Sequence, residues 1–178
     1  MRFLLIFWLI GISALNIYGE VLNPDPEIVE RDEIKVVGYL SLISMNHNLI
    51  SNLWMRFGSR MEEIENVVNF NEMMGVSYDG EQMDDDYMFF HLVGYEVSEI
   101  GVIPEGLTYL VIPSHQYAKF THKGEIDKLM DTYNYIYGEW LATSGYEIDE
   151  DFYEIELYDQ RFKMGPPDSE FDIYIPIK

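Results

Sequence analysis

Cysteine is absent from all 178 residues, which excludes disulfides, thiol nucleophiles, Cys-ligated zinc and a lipidated N-terminal Cys. Basic residues are scarce: 11 Lys and Arg stand against 32 Asp and Glu, for a net charge of −21. A nucleic-acid partner needs Lys and Arg to displace counterions. The closest basic groups, Lys119 to Lys128 and Arg161 to Lys163, are interleaved with acids, so no nucleic-acid binding is expected. No Gly-rich phosphate loop, no Gly-x-Ser-x-Gly elbow and no other nucleophile motif occurs. His47, His91, His115 and His122 are scattered without ligand spacing on a helix, and the acidic turn Asp79 to Asp86 lacks the calcium-loop layout. Neither a metal nor a cofactor is therefore expected. One long apolar run exists, Phe3 to Tyr18, after the single basic residue Arg2. It has the layout of a secretory signal peptide and is short for a membrane span, so residues 1–19 read as a leader or a membrane tether through 3–18, with an exported or anchored location. Glu20 to Glu33, with two prolines and six acids, reads as a linker up to residue 34. No Asn-x-Ser/Thr sequon follows to bear on compartment.

What is present is enough for a packed core, since 48% of the chain is hydrophobic and 15% aromatic. From Lys35 onward one pattern occurs twice. The first half has an apolar run, Val36 to Ile43, then Ile50, Leu53, Trp54, Phe57, Met61 and Ile64 at helical spacing, then strand-like runs Met73 to Tyr78 and Met88 to Val97. The second half has Leu107 to Ile112 and Tyr117 to Thr121 around Pro113-Ser114. A helical stretch follows from Ile126 through Leu129, Met130, Tyr133, Tyr137, Trp140 and Leu141 to Ser144-Gly145, then strands Phe152 to Tyr158 and Phe171 to Ile177. Two strand-helix-strand-strand units, with an extra strand between them, predict an α+β fold with antiparallel sheets and one long helix per unit. In the strand Phe152 to Tyr158, Tyr153, Ile155 and Leu157 point one way and Glu154, Glu156 and Tyr158 the other. If the Ile155 side packs on the helix, the opposite face carries two carboxylates among aromatics.

Residues 35–178 resemble the GyrI-like (gyrase-inhibitor-like) effector-binding domain, the ligand-sensing module of multidrug-responsive transcription regulators, also found as a stand-alone protein. The resemblance is carried by Val36-Val37-Gly38, Leu53-Trp54-Met55-Arg56-Phe57, Gly75-Val76-Ser77-Tyr78 and Leu92-Val93-Gly94-Tyr95-Glu96-Val97. It continues through Ile103-Pro104-Glu105-Gly106-Leu107, Ile112-Pro113-Ser114-His115-Gln116-Tyr117-Ala118-Lys119-Phe120, Tyr135-Ile136-Tyr137-Gly138-Glu139-Trp140-Leu141 and Ile173-Tyr174-Ile175-Pro176-Ile177-Lys178. It implies a pseudo-twofold pair of units with a ligand cleft between them, in which a buried Glu on the penultimate strand, ringed by aromatics, accepts flat lipophilic cations. Glu156 best fits that position, with Glu154 second. A carboxylate in an apolar site is costly unless a cation pairs with it, and Trp and Tyr faces attract cations.

The expected function is non-enzymatic binding of a small amphipathic or cationic organic molecule. The candidate ligand-binding residues are Glu156, Glu154, Trp54, Tyr78, Phe90, Tyr95, Trp140 and Tyr158. Trp54 and Trp140 lie on apolar helical stripes, a pattern that core residues share. Two alternatives use the same features: a hydrolase of strained electrophilic toxins, with the Glu and Tyr positioning water or a proton, and an acidic inhibitor of a partner protein.

Overall fold

The computed structural model describes residues 25–44, 49–79 and 88–178. The leader-like run and almost all of the acidic turn Asp79 to Asp86 lie outside these residues. Eight strands form one antiparallel sheet: β1 (Glu27–Arg31), β2 (Ile34–Ser44), β3 (Met73–Tyr78), β4 (Met88–Glu96), β5 (Thr108–Ile112), β6 (His115–Lys123), β7 (Glu154–Tyr158) and β8 (Glu170–Pro176). Their order is β1-β6-β8-β7-β3-β4-β2-β5. The α+β class and the repeat hold, but the two expected sheets are one, joined where Val76 of β3 pairs with Ile155 of β7. Part of the stretch read as linker is also strand. Glu27–Arg31 pairs with β6, and its neighbours Ile28 and Val29 pack into different cores on opposite faces of the sheet. Two adjacent apolar residues, one for each face, flanked by three charged ones are what an edge strand against two cores needs, although the charges mask it.

The sheet is strongly curled. Only Asp32 and Glu33 separate β1 from β2, which stand six places apart in the sheet, and only Pro113 and Ser114 separate β5 from β6. A residue spans at most about 3.5 Å, so both edges must bend round to meet. Arg31 of β1 accordingly reaches Glu96 of β4 at 3.8 Å and lies 4.6 Å above the Tyr174 ring of β8. The inside of the curl is one core, built from Ile34, Val36, Met74, Val76, Leu92, Ile155 and others drawn from β2 to β8, with Val29 of β1 against it.

The helices cover the outside. In α1 (Ile50–Gly58), Leu53 and Phe57, four residues apart, bury against Val37, Tyr39, Val93 and Tyr95 of β2 and β4. This helix ends at Gly58, earlier than its apolar spacing predicts, and a single 3-10 turn at Met61–Glu63 carries the chain on to buried Ile64. In the second unit α2 (Leu129–Tyr135) runs through a π-helical segment (Ile136–Trp140) into α3 (Leu141–Ser144) as one rod, which stops at Gly145 in the left-handed conformation, φ 77°. Ile136 and Trp140 pack on Phe120, Phe171, Ile173 and Ile175 of β6 and β8. Burying each such side chain contributes about 1.5–3 kcal/mol, which fixes where each helix sits. One helix takes β2 and β4 and the other β6 and β8. The central strands β3 and β7 are left as the floor between them.

Candidate functional site

That floor carries polar groups. Ile155 points into the curl, so its neighbours Glu154 and Glu156 point outward between the helices, the reverse of the arrangement in which Ile155 would face the helix. Opposite them on β3 are small residues, Ser77 across from Glu154 and Gly75 across from Glu156. A Cβ on Gly75 would stand 3.1 Å from the His91 ring and 3.2 Å from Glu156 Oε2, so the glycine is what lets both groups approach the same spot. His91 of β4 is 2% exposed, bonds Ser77 Oγ through Nδ1 at 2.8 Å, and its Nε2 has no hydrogen-bond partner among the described residues.

Three tyrosines hold the carboxylates. The Tyr133 hydroxyl sits between them, 2.6 Å from Glu154 Oε1 and 2.9 Å from Glu156 Oε1. Tyr137 donates to Glu154 Oε2 at 2.7 Å, and Tyr158 donates to Glu156 Oε2 at 2.7 Å. Tyr133 and Tyr137 are four apart on the rod and their rings stack at 6.2 Å. Tyr137 lies in the π-helical segment, a local irregularity that often accompanies a binding site.

No cation answers this charge: among the described residues no Lys, Arg or His forms an ion pair with Glu154 or Glu156. Burial pushes Glu154 up to about 7. The Tyr133 and Tyr137 hydroxyls oppose that rise, and the negative charges of Glu156 and Asp79 add to it. Burial likewise raises Glu156, against the hydroxyls of Tyr158 and Tyr133. The three tyrosines are held well above their usual range, by burial first and by the adjacent carboxylates second. Burial depresses His91 to about 4, so the imidazole is neutral at physiological pH. Asp79, itself raised by burial and by Glu150 and Asp151, adds further negative charge nearby.

Of the residues expected to line the site, Glu154, Glu156, Tyr158 and Trp54 come together. Trp54 meets Tyr158 edge to face at 4.9 Å and touches the cores under both helices. Tyr78 and Phe90 do not join them. They share alternation with Val76 and Leu92, so they lie on the inner face of the curl, stacked on each other at 5.3 Å. Tyr95 packs under α1 against Phe57, and Trp140 packs under the rod against Phe120. Both are core. Ser77, Gly75, His91, Tyr133 and Tyr137 are not among the ligand-binding residues expected from the sequence, although each lies in a stretch named there. The two tyrosines one helical turn apart were visible as part of an apolar stripe, but their hydroxyls give such residues a second role. A separate hollow of about 560 Å³ beside α1, lined by Ser41, Asn52, Arg56 and Ser59 among others, shares no residue with the carboxylate cluster. Among the described residues no group of His, Asp and Glu is arranged to hold a metal ion.

Comparison with known proteins places the chain and its fold. A sequence model of the GyrI-like small molecule binding domain matches residues 24–178, which takes in β1. The transcriptional regulator BrlR of Pseudomonas aeruginosa is 36% identical over 162 residues, covering 90% of this chain and 58% of the regulator, so the chain spans little more than half of that relative's length. Among solved structures, SAV2435 bound to tetraphenylphosphonium superposes with a TM-score of 0.69 at 12% identity, covering 87% of this chain and 94% of the other. The C-terminal domain of EcmrR superposes with a TM-score of 0.66 at 17% identity, covering 88% and 98%.

Proposed function

Because the chain belongs to the family of GyrI-like small molecule binding domains, we propose that its site takes a small organic cation between the two helices, with Glu154 and Glu156 answering the positive charge and Tyr133, Tyr137, Tyr158 and Trp54 meeting its body. The observation that carries this reading is the pair of carboxylates held by tyrosine hydroxyls, with no Lys, Arg or His paired to them among the described residues. A half-buried carboxylate pair without a counter-charge is costly, and a ligand cation removes that cost while the aromatic faces add attraction. The structural relative that holds tetraphenylphosphonium supports the same class of ligand. The test is calorimetric titration with tetraphenylphosphonium beside a neutral aryl analogue of similar size. The cation is expected to bind and the analogue not. The double variant Glu154→Gln, Glu156→Gln should bind at least about 100-fold more weakly, equivalent to about 2.7 kcal/mol. Equal binding by the double variant would sink the reading. The proposal extends to location: the leader-like run 3–18 favours an exported or tethered protein, which fractionation of the producing cell would check.

A second reading, hydrolysis of a strained electrophilic ring, is favoured by one observation. Glu154, raised to about 7 and backed by tyrosine hydroxyls, has the proton affinity of a general acid or base at neutral pH. Product formation that disappears in Glu154→Gln would put this reading first.

A further inference from the structure

The hydrogen bonds at the floor can be counted, and the count does not close on tyrosines alone. Among the described residues four short oxygen-oxygen contacts join the cluster: Tyr133 to Glu154, Tyr133 to Glu156, Tyr137 to Glu154 and Tyr158 to Glu156, at 2.6, 2.9, 2.7 and 2.7 Å. Each contact needs a proton between its oxygens, because two bare acceptors at such distances repel. Three tyrosines bring three protons. The one Tyr133 hydrogen can point squarely at one carboxylate or be shared weakly between two, so at 2.6 and 2.9 Å the two contacts are best satisfied when a carboxylic acid donates to the Tyr133 oxygen and Tyr133 donates to the other carboxylate. We propose that the Glu154–Glu156 pair shares one exchangeable proton through Tyr133, and that a cationic ligand binds by displacing that proton to solvent. This rests on the reading of the site as a cation binder and specifies how it is regulated.

The exchange balances in charge. With one proton the pair carries −1. The entering monocation adds +1 and the departing proton leaves −2 on the two carboxylates, so the cluster again carries −1. A cation within about 4–6 Å of a carboxyl lowers its pKa by one to three units, enough to expel the proton at neutral pH. In the proposed state the proton sits on Glu154, at the shorter of the two Tyr133 contacts, 2.6 Å: its carboxyl donates to the Tyr133 oxygen, Tyr133 donates on to Glu156, and Tyr137 donates to the other Glu154 oxygen. Apart from the tyrosine hydroxyls, which favour the ionised form, the charged groups among the described residues around the cluster favour a retained proton. Asp79 beyond β3 adds negative charge to Glu154, and both Asp79 and Glu150 add it to Tyr137 on the rod. His91 on β4 is neutral and offers no positive charge, and Trp54 on α1 is apolar.

Two measurements on the full protein test this. Without ligand, infrared difference spectra across a pH titration should show the carbonyl band of a protonated carboxyl that vanishes near neutral pH and is missing from Glu154→Gln. With tetraphenylphosphonium, which does not itself titrate, calorimetry in buffers of different ionisation enthalpy should show nearly one proton released near pH 6. Affinity should then rise about tenfold per pH unit below 7 and level off above it. In Glu154→Gln the release should vanish and the affinity should be flat with pH. Binding of tetraphenylphosphonium with no proton released and no pH dependence between about 5.5 and 8 would overturn the exchange while leaving the cation reading intact. Absence of the carboxyl band in the parent protein would overturn the shared proton. Failure of the cation to bind at any pH would overturn the cation reading and the exchange with it.

Discussion

The two units of this molecule share a plan and divide the labour. About the centre of the sheet, where Val76 meets Ile155, Gly75 and Ser77 of the first unit occupy the places that Glu154 and Glu156 occupy in the second. On the next strand the first unit has His91, paired with Ser77, where the second has Ile173, paired with Glu156 through β7. The second unit supplies the charge, and its rod supplies two of the hydroxyls that hold it. The first unit supplies space, a neutral imidazole and one tryptophan. A pseudo-symmetric frame thus gives an asymmetric site, because side chains that would repel across a twofold, two glutamates against two more, are replaced on one side by glycine and serine. The lesson is that a duplicated fold acquires a polar site when one copy keeps the charge and the other makes room for it.

The tryptophans offer the strongest way to break this comparison. Trp140, 7% exposed beneath the rod, is core, and Trp140→Ala should cost about 3–5 kcal/mol in chemical denaturation. Trp54 stands at the seam against Tyr158, so Trp54→Ala should retain more of the stability while weakening tetraphenylphosphonium binding about tenfold. Equal effects on stability and binding at the two positions would erase the division between frame and site.

The charge of the second unit should show next, in the dependence of stability on pH. Glu154 titrates at about 7 when folded, above the value near 4.3 of an unfolded Glu. Between these values the folded protein holds a proton that the unfolded chain has lost, so this group's contribution to stability falls as pH rises from about 4.5 to 7 and is lowest above 7. Partial solvent access limits the fall to about 2 kcal/mol. Glu154→Gln should remove this component and leave the variant more stable than the parent at about pH 8 by a similar amount, read by thermal melting across pH. A variant that is less stable at that pH would show that the carboxylate is already compensated. The smallest effect belongs to the first unit's space. Gly75→Ala sets a methyl group 3.1 Å from His91 Cε1 and 3.2 Å from Glu156 Oε2, which should weaken ligand binding a few-fold without unfolding the protein.

Much of this was legible in the residues. The alternation over Phe152 to Tyr158 set Glu154, Glu156 and Tyr158 on one face, because a strand leaves no other choice. It did not say which face the helices cover, since in a curled sheet both faces need cover and Ile155 is satisfied by the interior. Spacing could not separate Trp54 from Trp140, because both sit on apolar helical stripes and only the sheet order shows that one borders the central strands. Tyr78 and Phe90 fell on the wrong side for a related reason: their parity with Val76 and Leu92 means little until the interior is known. Glu27–Arg31 hid as linker because three of its five residues are charged, and its partner strand lies far along the chain.

That last pairing also governs how the protein is made. Strand β1 leads directly into the first unit yet bonds to the first strand of the second, and β5 leads into the second unit yet bonds to the first. Each unit is therefore closed by the other's leading strand. Lys119 reaches Glu27 across 92 positions of sequence, so on a ribosome β1 emerges long before anything exists for it to pair with. Contacts of such separation slow folding, and here the earliest strand is held in waiting until the second unit has been synthesised. Neither half can be completed alone, so the floor between the helices is assembled only when the whole domain is.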